Sequence, residues 1–103
     1  MAKGKRIKVP TAEQIQAEIA LLIEMKPNVR QYSAFGDDNY AKIDAQIEVL
    51  EENLSEDDIW DRWDSDECEA NGDIRFCAEG ALEWKLGESD SKPSDEWKPL
   101  IKK

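Results

Sequence analysis

The chain has 103 residues, 24 acidic against 14 basic with no histidine, and a formal charge of −10. That length suits one domain with its own core, and an apolar content of 40%, four tryptophans included, excludes a disordered composition despite 37% charged residues. No apolar run approaches the roughly 18 residues of a spanning helix, no apolar segment follows the basic start Met1 to Arg6 as a signal peptide would need, and the missing imidazole removes the commonest general base, the commonest transition-metal ligand and every His-based triad.

Residues 1–9 read as a flexible basic arm and residues 10–103 as a single helical domain. Thr11, with Gln14 three positions on, is a capping box that opens the first helix. Ile15, Ile19, Leu22 and Ile23 form its apolar stripe, and Pro27-Asn28 is expected to end it. A connection follows in which Tyr32 and Phe35 tuck onto the core. Asp37, Asp38 or Asn39 then caps a second helix with the stripe Tyr40, Ile43, Ile47, Leu50 and Leu54. The two helices are expected to form an antiparallel hairpin spanning residues 11–54.

Ser55 with Asp58 starts a third helix carrying Ile59, Trp60 and Trp63, and Asn71-Gly72 is expected to stop it. A β-hairpin at Asn71-Gly72 is rejected because apolar and charged residues would face each other across its strands. Asp73 is expected to cap a fourth helix with Ile74, Cys77, Ala78, Ala81, Leu82 and the Lys85 stem on one face. Gly80 inside it suggests a close helix crossing, and Gly87 ends it. Glu88 to Pro93 is a polar loop, after which Trp97, Leu100 and Ile101 anchor the tail. The expected fold is therefore all-α, a small bundle of about four helices with an anchored C-terminal tail.

The charge is unevenly placed. Residues 37–96 hold 21 of the 24 carboxylates against five basic groups, a local charge of −16, and the stretch Glu48 to Asp73 has twelve acids and one arginine, Arg62. Such a surface repels nucleic acid and anionic membrane and attracts basic protein surfaces over roughly 8–10 Å. Carboxylates three or four residues apart on a helix lie about 5–6 Å from one another, a spacing close to that of phosphates along a strand. Glu48, Glu51 and Glu52, continued by Glu56, Asp57, Asp58, Asp61 and Asp64, are thus the candidate partner-binding row. Trp60 and Trp63 within it are aromatic anchors or core residues. Solubility, nucleic-acid mimicry and docking without mimicry all remain open for this row.

Catalysis is not expected, because the abundant carboxylates sit on solvated helix faces. No cofactor or metal is expected either. Cys68 and Cys77 supply half of a zinc site without CxxC spacing, and read as free thiols in a reducing compartment. Glu67 to Ala78 copies a calcium loop loosely, with Ala78 where the bidentate glutamate belongs. A cytoplasmic location is expected.

In size, charge and style the chain resembles small acidic proteins of bacteriophages, prophages and other mobile elements. The likeness rests on the run Phe35-Gly36-Asp37-Asp38-Asn39, the Ile/Leu helix, the acid-rich middle, and the tail from Gly87-Glu88-Ser89-Asp90 to Pro93-Ser94 and Trp97. It implies a host-defence inhibitor of the anti-CRISPR kind that covers the basic nucleic-acid channel of an effector, and carries over no residue roles. The alternative is a small structural or adaptor protein that dimerises or docks through apolar helix surface.

Overall fold

The computed structural model describes residues 9–32, 36–64, 66, 67, 69 and 71–100. Among them are four α-helices, α1 (Ala12–Tyr32), α2 (Gly36–Glu52), α3 (Glu56–Arg62) and α4 (Asn71–Lys85), two short 3₁₀ helices (Pro93–Glu96 and Lys98–Leu100) and no strand. The basic arm falls outside the described residues except for Val9, as do Phe35, Cys68, Ile101 and the side chains of Tyr32 and Leu100.

α1 starts where its capping box requires. The Thr11 N–H donates to Gln14 Oε1 at 2.8 Å, and the Gln14 N–H donates to Thr11 Oγ1 at 3.1 Å. It does not stop at Pro27, which lies inside the helix. Proline removes one N–H, the donor to the Ile23 carbonyl, but Pro27 and Ile23 are both exposed, so the gap lies on the solvated side. Beyond it, Val29 is completely buried and Arg30 reaches Asp37 at 2.8 Å, which rewards continuation. The longer helix moves the packed face to Ile19, Leu22, Met25 and Val29, leaving Ile23 on the surface.

α2 is the central helix, packed against α1 and α4. Its stripe is wider than expected, because Ala45, Gln46 and Val49 are buried along with Ile43, Ile47 and Leu50. Asp37 and Asp38 lie in its first turn rather than capping it, still well placed for the macrodipole. The hairpin with α1 is antiparallel. Lys26 bonds Asp44 at 2.7 Å, and both Lys26 and Arg30 sit over the Tyr40 ring, at 4.7 and 5.2 Å. The Asp44 hydrogen bond raises the Lys26 pKa above its ordinary value. At its other end α2 closes with Asn53 in the left-handed region (φ 57°) and the Leu54 N–H bonded to the Val49 carbonyl at 3.3 Å, a Schellman closure.

The Ser55–Asp58 capping box forms as expected, but α3 is only seven residues long and Asn71-Gly72 does not end it. The chain leaves helix at Trp63, and Asn71 and Gly72 instead begin α4, with Asp73 in its first turn. The cause is local: Asp64 turns back on the main chain, its Oδ1 accepting from the Asp66 N–H at 2.9 Å while its carbonyl accepts from Asn71 Nδ2 at 2.9 Å. The connection is thus 63–70, not 71–73. Asp38 and Lys42 border Asp73 and Ile74, whereas Asn53 and Leu54 border Leu82 and Lys85, so α2 and α4 run parallel.

α4 buries Cys77, Ala78 and Ala81 as expected, and also Trp84. Its last turn closes on Gly87 (φ 78°), whose N–H bonds the Trp84 carbonyl at 3.1 Å while the Glu88 N–H bonds the Glu83 carbonyl at 2.8 Å. Gly80 marks no close crossing: a Cβ built there meets nothing within 4 Å. Gly80→Ala is therefore expected to raise stability by about 0.5–1 kcal/mol through helix propensity alone, read as a higher urea midpoint at constant slope. A destabilised variant would refute the open space.

The tail is pinned by polar contacts as well as by packing. Trp97 is 2% exposed and its Nε1–H donates to Gln46 Oε1 at 2.8 Å. The Ser94 N–H donates to Oε2 of Glu18, a carboxylate side chain only 4% exposed, at 2.7 Å. The Asp95 pKa is held below the ordinary range by its hydrogen bond to Lys98. Ser94 Oγ is buried without a hydrogen-bond partner among the described residues.

Candidate functional site

The acid row is assembled from two helices by one cation. Arg62, on α3, donates to Glu48 Oε1 at 2.7 Å and Glu52 Oε1 at 3.1 Å, both on α2 and one turn apart. The bond to Glu48, then that to Glu52, raises the Arg62 pKa further above its ordinary value. This bridge ties α3 to α2 and offsets two carboxylates of the row. Exposed pairs of this kind contribute little to stability, so their main effect is on the charge pattern.

Three further residues of the row are engaged in the fold. Asp58 is the capping partner of Ser55. Its carboxyl is held below the ordinary range by the Ser55 backbone N–H first and the Ser55 hydroxyl second. Asp64 holds the turn that ends α3. Trp63 is a core residue, buried beside Ile59, with the Arg62 guanidinium 5.8 Å from its ring centre. It is no exposed anchor, because the four-residue step from Ile59 carries it to the same inner face.

Trp60 is 50% exposed, with one face of its ring covered. The Arg75 guanidinium lies 3.8 Å from its ring centre, and Arg75 also donates to the Trp63 carbonyl at 3.2 Å. A cation of the same chain thus occupies one of the two faces on which an arginine can stack. No helical spacing reveals this contact, which spans fifteen positions and depends on how α4 packs against α3.

What remains outward and without an ion-pair partner among the described residues is Glu51, Glu56, Asp57 and Asp61. Asp57 and Asp61 are one turn apart on α3, the helix that Arg62 ties to α2. Exposed carboxylates in one kind of environment do not divide into an acid and a base. Their chemistry is that of a fixed anionic surface. Among the described residues there is no cluster of three or more His, Cys, Asp or Glu side chains able to hold a metal ion. No helix of the described residues is long and apolar enough to cross a membrane.

Comparison of the chain with protein-family models, with curated proteins and with solved structures gives no match.

Proposed function

We propose that the protein is a non-enzymatic binding protein that sets the acidic surface of α2 and α3 against a basic surface of another protein. The observation that carries this reading is the outward set Glu51, Glu56, Asp57 and Asp61, on two helices that Arg62 ties together through Glu48 and Glu52. Capping at Ser55 and the Arg62 bridge fix the helices that present these carboxylates, so little backbone order is left to impose on binding. A basic groove built for nucleic acid is the partner surface with the most suitable charge. Its occlusion would make the protein an inhibitor, in line with the resemblance to phage and mobile-element proteins. The reading includes an intracellular site of action and no direct contact with nucleic acid.

A second reading, docking or self-association through apolar helix surface, is favoured by one observation. Phe76 on α4 is 74% exposed.

One experiment separates the two. A partner captured on the immobilised protein is purified and its association measured against salt. Reversal of Glu51, Asp57 and Asp61 to lysine is expected to weaken binding roughly a hundredfold at low salt, mainly through slower association. The same change at Glu13, Glu24 and Asp90 should cost far less. Binding that ignores salt and the first set, but is lost in Phe76→Ser, would replace the first reading with the second.

A further inference from the structure

The parallel arrangement of α2 and α4 brings the C-terminal ends of both to one place, and an open groove of about 510 Å³ lies between them. Leu54, Leu82 and Leu86 give it an apolar floor, and Leu86 is 43% exposed although it closes a helix whose other face is core. Glu79, Glu83 and Glu88 line it from α4 and its cap, and Glu56 lines it from α3. Among the described residues none of these four glutamates has an ion-pair partner. Glu79 and Glu83 are one turn apart, a like-charge pair that costs the isolated helix a few tenths of a kcal/mol.

Three helix ends meet at the groove, two of them negative and one, the short N-terminus of α3 at Ser55 and Glu56, positive. The last carbonyls of α2, closed by Asn53, and of α4, closed by Gly87, carry the negative ends of both macrodipoles toward this region. The single lysine of the groove, Lys85, offsets one of the four glutamate charges; burial lowers its pKa, and it makes no ion pair among the described residues, so the rim stays net negative. The groove therefore combines apolar area, a negative rim and a size typical of sites that take a side chain or small ligand, roughly 300–1,000 Å³.

We propose that this groove is the docking site for a cationic amphipathic segment of a partner protein, which lays an apolar side chain on Leu54, Leu82 and Leu86 while flanking lysine or arginine side chains meet Glu56, Glu79, Glu83 and Glu88. The proposal rests on the reading of the protein as an acidic docking module. The two fail separately, because their tests change different residues, Glu51, Asp57 and Asp61 outside the groove and Glu79, Glu83 and Leu86 within it, with only Glu56 common to both surfaces.

The test uses a synthetic helical peptide of lysine and leucine, with one control in which serine replaces leucine and another in which glutamate replaces lysine. Calorimetry gives affinity, and methyl NMR of Leu82 and Leu86 reports the place of binding. The lysine–leucine peptide is expected to bind and shift both methyl sets. Leu86→Ser, and separately Glu79→Gln with Glu83→Gln, should each weaken it roughly tenfold, about 1.4 kcal/mol, with the far-ultraviolet dichroism unchanged. Reversal of Glu51, Asp57 and Asp61 should leave it within about threefold, a screened long-range effect only. The proposal is overturned if the serine peptide binds as tightly, if the glutamate peptide binds at all comparably, if no peptide binds, or if the outward reversal alone abolishes binding. It is also overturned if the unliganded protein is a dimer that Leu86→Ser converts to monomer, since a second copy would then own the groove.

Discussion

Trp97→Ala is expected to lower unfolding free energy by about 3–5 kcal/mol, the range for deleting a buried tryptophan. Only 2% of Trp97 is exposed, and its indole donates to Gln46, a side chain of α2 that is itself buried. Truncation leaves a cavity between tail and bundle and takes from Gln46 Oε1 its 2.8 Å donor, an orphaning worth about 1–3 kcal/mol by itself. The remaining contact of Gln46 is made by Nε2, which donates to Glu96 Oε1 at 3.5 Å and cannot satisfy the orphaned acceptor. For a domain with a total stability of roughly 5–15 kcal/mol, such a loss is a large fraction. Trp97→Phe should fall between the two, since it keeps most of the packing and loses the donor. Urea unfolding decides it: a lower midpoint at unchanged slope supports the cavity and the lost bond, whereas a loss under about 1 kcal/mol would show that the tail does not belong to the cooperative unit. Ile19→Ala and Ile47→Ala, both in the interface of α1 with α2, share the core range of about 2–5 kcal/mol.

The parts of this fold that were legible in the sequence are those whose physics is local. Thr11 with Gln14 and Ser55 with Asp58 need only a three-residue spacing to satisfy helix-end donors, and both boxes form. The stripe Ile43, Ile47, Leu50 and Leu54 needs only the helical period. Misreadings arose where a local signal competed with packing or with a neighbouring side chain. Pro27 has every property of a helix terminator, yet the complete burial of Val29 outweighs one lost hydrogen bond on a solvated face. Asn71-Gly72 suits a helix end, but Asp64 had already turned the chain and Asn71 serves that turn from the far side. Gly80 suggested a crossing because a glycine in a helix costs stability, and nothing local distinguishes a close approach from empty space. Trp84 lay within reach of the same reasoning, three and seven residues after Ala81 and Cys77.

The candidate site divides along the same line. That the carboxylates of α2 and α3 face water follows from composition and period. Which of them stay unpaired does not, because the bridge from Arg62 to Glu48 and Glu52 and the stack of Arg75 on Trp60 depend on how three helices pack. Trp63 belongs to the core for a reason already visible, its step of four from Ile59. The groove at Leu86 was not foreseeable, since it exists only because α2 and α4 end side by side.

Cys77 is expected to resist alkylation in the folded protein by about a thousandfold relative to an ordinary thiol near pH 8. Its side chain is buried, and that burial, reinforced by the Glu96 charge with Oε2 3.6 Å from Sγ, pushes its pKa from 9.0 up to about 12. Three pKa units remove about three powers of ten from the reactive thiolate fraction, before any steric protection is counted. The same shift sets a pH dependence whose sign is fixed by linkage. The folded pKa exceeds the unfolded one, so the stabilisation of the neutral thiol is complete below pH 9.0 and is lost as pH rises toward about 12. The slope can reach about 1.4 kcal/mol per pH unit for one proton. Other groups titrate in this range, so the informative quantity is the difference between the parent and Cys77→Ala, both in a Cys68→Ser background. That difference should shrink from pH 9.0 upward and be constant below it. A thiol that stays protonated and sealed is also a poor zinc ligand, so the protein purified without chelator should carry no stoichiometric zinc through Cys77. Labelling of the native protein at the rate of a small free thiol, or a flat difference between the two stability curves up to pH 11, would show that the Cys77 site is open to water.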